Sequence, residues 1–203
     1  MKKNSLLIFF FFSGAAALVY EQVWSRMLQA VFSSTIYTTA AVFAIFLAGF
    51  SLGSFVCSRT ADRLQNPIRM LTFISFLLGA YGLLMLPVFS KLAVWYALLP
   101  DWFAVRLLLC LIIILPTAAL FGACWPLVGK AGIVDTANTG QTIGRLYSAN
   151  SIGAALGAFS GGFILAPLFG FQQAALAASL MNFISGFILL AVGKNSSEEH
   201  TDR

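Results

Sequence analysis

The segment "MLTFISFLLGAYGLLMLPVF", residues 70–89, contains no charged side chain. A helix needs about 20 apolar residues to cross the hydrocarbon core of a bilayer, and this run meets that length. Similar apolar spans lie at about 5–29, 35–57, 69–89, 104–128, 146–169 and 173–193. The sequence therefore predicts an all-α integral membrane protein with six transmembrane helices filling residues 1–193. A solvated cytoplasmic tail, "KNSSEEHTDR", is expected over 194–203. Composition agrees. Hydrophobic residues make up 60% of the chain and charged residues only 9%. A soluble domain carries about 25% charged residues, so so few charges leave most of the surface to lipid. With 203 residues, little chain remains for a globular domain.

Lys and Arg set the orientation, because short cytoplasmic loops carry an excess of both. With a cytoplasmic N-terminus, Lys2, Lys3, Arg59, Arg63, Arg69, Lys130, Arg145, Lys194 and Arg203 lie inside. Lys91 and Arg106 lie outside, and Arg26 sits near the outer end of the first span. This bias predicts a multi-pass protein of a bacterial-type inner (plasma) membrane with both termini cytoplasmic. It also accounts for the net charge of +5 without nucleic acid. Trp95, Tyr96 and Trp102 then fall at the outer interface, where aromatic belts form. "MKK", "LLIFFFF" and "AAA" also match the parts of a cleaved signal peptide. Cleavage would leave five spans and an outside N-terminus, so the even count favours a retained first helix. Cys57, Cys110 and Cys124 are odd in number and form no CxxC, which points to neither a disulfide framework nor a metal site. No cofactor or metal is expected.

Small residues predict where helices meet. Gly153, Gly157 and Gly161 recur every four residues and form a smooth stripe that admits close helix approach. Asn150 lies on the same stripe and is expected to bond across to a partner helix. Ala48, Gly49 and Gly53 repeat the theme in the second span. Pro116, Gly122 and Pro126 predict a bent or broken fourth helix, either a packing bend or the frame of a site.

Glu21 and Arg26 are the informative charges, because ionisable residues in a span usually face protein, water or a ligand. Glu21 lies about 24 Å along the helix from Ser5, toward its outer end. The two are five residues apart, about 140° around the helix, so they do not pair on one face. Arg26 can snorkel to the interface. Glu21 must find water, a cation or a donor on another helix. The candidate ligand site is Tyr20, Glu21, Trp24 and Arg26, with Tyr147 and Asn150 from the fifth helix. A cation there would be drawn to Glu21 and to the ring faces of Tyr20 and Trp24.

Four segments carry a family resemblance: "SGAAALVYEQVWSR", "LAGFSLGSFVCSRTADR", "LPTAALFGACWPL" and "GRLYSANSIGAALGAFSGGFILAPLFG". Together, over about residues 10–192, they resemble the membrane domain of membrane-bound spermidine-synthase-like (polyamine aminopropyltransferase-like) proteins. The resemblance implies half of a major-facilitator transporter, commonly followed by a soluble synthase domain. The 11 residues after Val192 hold no Gly-rich cofactor segment and no acidic pair. Synthase activity is therefore not carried over to this chain alone. "SRTADRLQNP" also resembles the major-facilitator loop between helices two and three, with Asp62 and Arg63 at its core and Arg59 beside them. The alternative for that loop is a basic cytoplasmic turn with a local ion pair.

Two functions follow as expectations. One is a membrane binding or transport module for a polyamine or related small amine, working as a homo-oligomer or with a partner. The other is an anchor or partner subunit for a separately encoded aminopropyltransferase-like or other enzyme. No HExxH, Cys/His pair or nucleophile–base arrangement suggests a stand-alone enzyme.

Overall fold

The computed structural model describes residues 2–32, 36–132 and 138–201. Helices α1 (Lys2–Phe32), α2 (Ile36–Ala61), α3 (Pro67–Tyr96) and α4 (Phe103–Gly132) are followed by α5 (Thr139–Ser160). A five-residue π-helical turn, Gly161–Leu165, carries α5 into the short α6 (Ala166–Phe169), and α7 (Phe171–Thr201) closes the chain. Among the described residues, six helical stretches are long and apolar enough to cross a membrane, which makes the chain a multi-pass membrane protein. The spans expected from sequence all appear, with different ends. α3 runs through Pro87 to Tyr96, seven residues beyond the expected end of the third span at 89. α5 begins at Thr139 rather than near 146. α7 continues to Thr201, so residues 194–201 are helical rather than a loose tail. No Pro or Gly interrupts 194–201, and a helix already formed adds residues at little further cost.

Local chemistry explains several boundaries. Asn66 caps α3, its Oδ1 accepting the Arg69 N–H at 3.1 Å, and Pro67 stands at the first turn where no donor is missed. The π turn lies just ahead of Pro167, which cannot donate to the carbonyl four residues back. Gly170, at φ 87°, makes the left-handed turn between α6 and α7.

Helices pack chiefly as α2 with α4, α1 with α5, and α3 with α7, and α1 also lies along α7. A serial six-span chain alternates direction, so the first two pairs are parallel and the third antiparallel. At Gly53 a Cβ would overlap the backbone of Ala119, and at Gly122 one would overlap the backbone of Phe50. α2 and α4 thus touch backbone to backbone. The stripe on α5 behaves likewise: Gly153 abuts Phe11 and Gly157 abuts Ala15, both on α1. Gly161 is looser, with Val19 at 3.3 Å from the place of a Cβ, and Gly49 faces Ala118 and Leu115. Without a hydrophobic force between helices in lipid, such close packing supplies much of the association.

α4 is continuous through Pro116 and Pro126. Pro116 deprives the Ile112 carbonyl of its helical donor. The Tyr81 hydroxyl of α3 lies 3.2 Å from that carbonyl and 3.0 Å from that of Ile113. The carbonyl that the proline leaves without a helical donor is thus met by a neighbour, and the helix is not broken there.

Candidate functional site

On α1, adjacent residues of the expected site part company. Tyr20 and Trp24, one turn apart, point into the core and are 1% and 2% exposed. Their rings stack at 4.6 Å between centroids, with Tyr81 and Phe89 of α3 around Trp24 and Phe121 of α4 beside Tyr20. The Tyr20 hydroxyl lies 2.9 Å from Ser179 Oγ on α7 and 3.4 Å from the Leu78 carbonyl on α3. Gly82 makes room for that hydroxyl, since a Cβ there would overlap it. Among the described residues, the Trp24 indole Nε1 is buried and meets no acceptor. These rings bind α1, α3, α4 and α7 together. In this conformation they offer no face to a ligand beside Glu21, which corrects the expected aromatic cage.

Glu21 turns the other way. It is half-buried and lines an open groove of about 610 Å³ between α1 and α2. Ser25 and Gln29 follow it at one-turn spacing on the same wall, with Gln22 and Arg26 on the rim. Gln29 Nε2 donates to Ser25 Oγ at 3.1 Å and to Thr39 Oγ1 of α2 at 2.8 Å. Glu21 itself has no hydrogen bond or ion pair among the described residues. Arg26 is exposed and does not pair with it, as the 140° offset requires. Gln22 and Arg26 also border a second recess, about 200 Å³, against Gly161, Gly162 and Pro167 at the π turn.

The fifth-helix candidates lie elsewhere. Asn150 faces α1 at Gly14, where its backbone and Oδ1 occupy the space a Cβ would need. Gly14 is seven residues, about 10 Å, before Glu21, so Asn150 sits deeper along the helix. It packs against a partner helix, as the stripe predicted, but among the described residues its side chain makes no hydrogen bond across to that helix. Tyr147 is exposed, its ring 6.0 Å from that of Trp125. The structure thus keeps Glu21 and Arg26 together and separates Tyr20, Trp24, Tyr147 and Asn150 from them. Sequence reasoning missed Ser25, Gln29 and Thr39 in the groove. The Glu21–Ser25–Gln29 repeat of four was the available signal; Thr39 had none.

At the basic end, the turn after α2 is held by a residue the sequence did not single out. Lys130 Nζ, on α4, donates to the carbonyls of Ala61 at 2.7 Å, Asp62 at 2.7 Å and Leu64 at 2.8 Å. One ammonium thus gathers three carbonyls at and just after the end of α2, of which that of Ala61 also accepts the Leu64 N–H at 3.2 Å. Asp62 and Arg63 remain exposed, and neither is in an ion pair among the described residues. Arg59 lies over the Phe55 ring at 4.2 Å. The local ion pair expected as one alternative for this loop is replaced by the lysine clasp.

At the opposite end, Asp101 accepts from Arg106 Nε at 2.9 Å and from the Tyr96 hydroxyl. These bonds, that from Arg106 foremost, hold the Asp101 carboxyl below its ordinary value. They tie the α3–α4 turn at its tip, where the sequence had only an aromatic belt. Comparison with family models, with curated proteins and with solved structures returns no match.

Proposed function

We propose that the chain is a binding or transport module for a polyamine or related small amine, resembling the membrane domain of spermidine-synthase-like proteins. It lies in a bacterial-type inner membrane with both termini cytoplasmic, the orientation that the Lys and Arg bias favours. One observation carries the reading: Glu21, a half-buried carboxylate within a span, lines an open groove and has no hydrogen-bond or ion-pair partner among the described residues. An unpaired charge at that depth is costly unless a ligand or water meets it. An ammonium group offers up to three donors and the opposite charge. Ser25, Gln29 and Thr39 supply neutral polar contacts on the same groove. Arg26 shares the rim, so a dication must hold its second ammonium away from it. Six spans amount to half of a major-facilitator transporter. The pairing supports that likeness, because exchanging the first three spans with the last three turns α1·α5 into α4·α2 and leaves α3·α7 unchanged.

The test is thermal melting of the purified chain with and without spermidine. A ligand at about 100 times its Kd stabilises by about 2.7 kcal/mol, which is readily seen as a rise in Tm. Glu21→Gln is expected to abolish the rise and Arg26→Gln to enlarge it. Identical melting of the native chain with and without saturating amine sinks the proposal.

A second reading, an anchor or partner subunit for a separately encoded synthase-like enzyme, is favoured by the clasped loop. Lys130 holds Asp62 and Arg63 exposed on an ordered turn, as a docking point requires. Copurification from native cells should then be lost on replacing both Asp62 and Arg63 with neutral residues. A native chain that extracts alone counts against it.

A further inference from the structure

A second groove, about 710 Å³, runs between α3 and α7 at the basic end. Its size falls within the range of about 300–1,000 Å³ typical of small-molecule sites. Its two ends differ in chemistry. Arg69, Phe73 and Phe76 follow one another down one stripe of α3, and Leu189 and Leu190 of α7 form the facing wall. The charged member of the stripe is thus at the helix start and the apolar members lie deeper in the span. The Arg69 side chain is exposed and in no ion pair among the described residues. It stands on the first turn of a 30-residue helix, where the dipole favours an anion. No acidic residue occupies that turn to compensate the charge.

We infer that this groove binds one anionic phospholipid, its phosphate on Arg69 at the start of α3 and an acyl chain between Phe73, Phe76 and Leu190. Charge complementarity chooses the occupant. A guanidinium on a helix N-terminus suits a phosphate, and the apolar floor beneath it suits the chain covalently attached to that phosphate. Given the orientation proposed above, the lipid belongs to the cytoplasmic leaflet. The site is independent of the amine reading, since it shares no residue with the Glu21 groove.

Native mass spectrometry of the full chain in neutral detergent tests the inference, with phosphatidylglycerol and phosphatidylcholine of identical acyl chains as probes. Phosphatidylcholine bears the same phosphate but no net charge, so the comparison isolates the anionic headgroup. Retention of phosphatidylglycerol is expected to exceed that of phosphatidylcholine about fivefold, the scale of one basic side chain at an anionic surface. Arg69→Gln should bring the ratio to about one. Arg69→Lys should preserve most of it, and Arg63→Gln, on the neighbouring turn, should leave it intact. Leu190→Trp, which fills the floor from an exposed position, should lower retention of both lipids. Equal retention by the native chain, or a preference that survives Arg69→Gln, overturns the inference. So does displacement of the lipid by millimolar inorganic phosphate, which would make the occupant a free anion, or by dimerisation, which would make it a second copy.

Discussion

The two faces of α1 in its C-terminal half differ more than their sequence does. Tyr20 and Trp24 are stacked and sealed between α3, α4 and α7, while Glu21, one residue on from Tyr20, opens onto the α1–α2 groove. On the closed face, the one hydroxyl is met by Ser179 and the Leu78 carbonyl. On the open face, a charge is left without a partner among the described residues. The closed face is what holds the helices together, and the open face is where a ligand has something to gain. Buried aromatic rings and unpaired carboxylates thus call for different tests even when they are neighbours.

The contrast breaks most sharply at Trp24. Truncation to Ala empties a core position touched by three rings, with an expected loss of about 3–5 kcal/mol. The readout is Tm or the folded fraction on gel filtration. A Trp24→Ala chain that melts like the native one but loses amine binding would place the ring in the ligand site and undo the comparison. Gly53→Ala comes next. Its Cβ would meet the Ala119 backbone, which cannot rotate away, so about 1–3 kcal/mol is expected to be lost in the same assay.

Tyr20→Phe should cost about 1 kcal/mol. It deletes the short bond to Ser179 Oγ and the long one to the Leu78 carbonyl, while Ser179 Oγ keeps its bond to the Ala175 carbonyl at 3.1 Å. On the open face, Glu21→Gln should leave unliganded stability unchanged or raise it, because no contact among the described residues is broken and a costly unpaired charge is removed. A large loss in that variant would reveal a structural partner for Glu21. The smallest effect belongs to Asp101, outside both faces. Its folded-state pKa is depressed, so its stabilising contribution is present at neutral pH and lost as pH falls through the folded value. Tm measured from about pH 5 down to about pH 2 should therefore fall slightly more for the native chain than for Asp101→Asn, mostly below the ordinary value of 3.8.

The sequence made much of the architecture legible. Long uncharged runs located the six spans because lipid tolerates little else. The glycines of the second and fifth spans announced close contacts, and Gly53, Gly153 and Gly157 make them. The site was less legible. Its one anchor, Glu21, stood out because a charge in a span is rare. Which neighbours share its groove depended on the direction each turn faces, and α1 carries apolar or small residues on nearly all sides, so its own periodicity did not reveal which was inward.

By itself, then, the sequence determined the solvent, the number of crossings and the stripes where backbones approach, since each follows from polarity or size along one helix. Only the tertiary structure decided that Tyr20 meets Ser179 from 159 positions away and that Tyr81 relieves Pro116. It also decided that Lys130 clasps the end of α2. Those pairings satisfy polar groups that lipid will not, and their partners lie on other helices, beyond the reach of any local pattern.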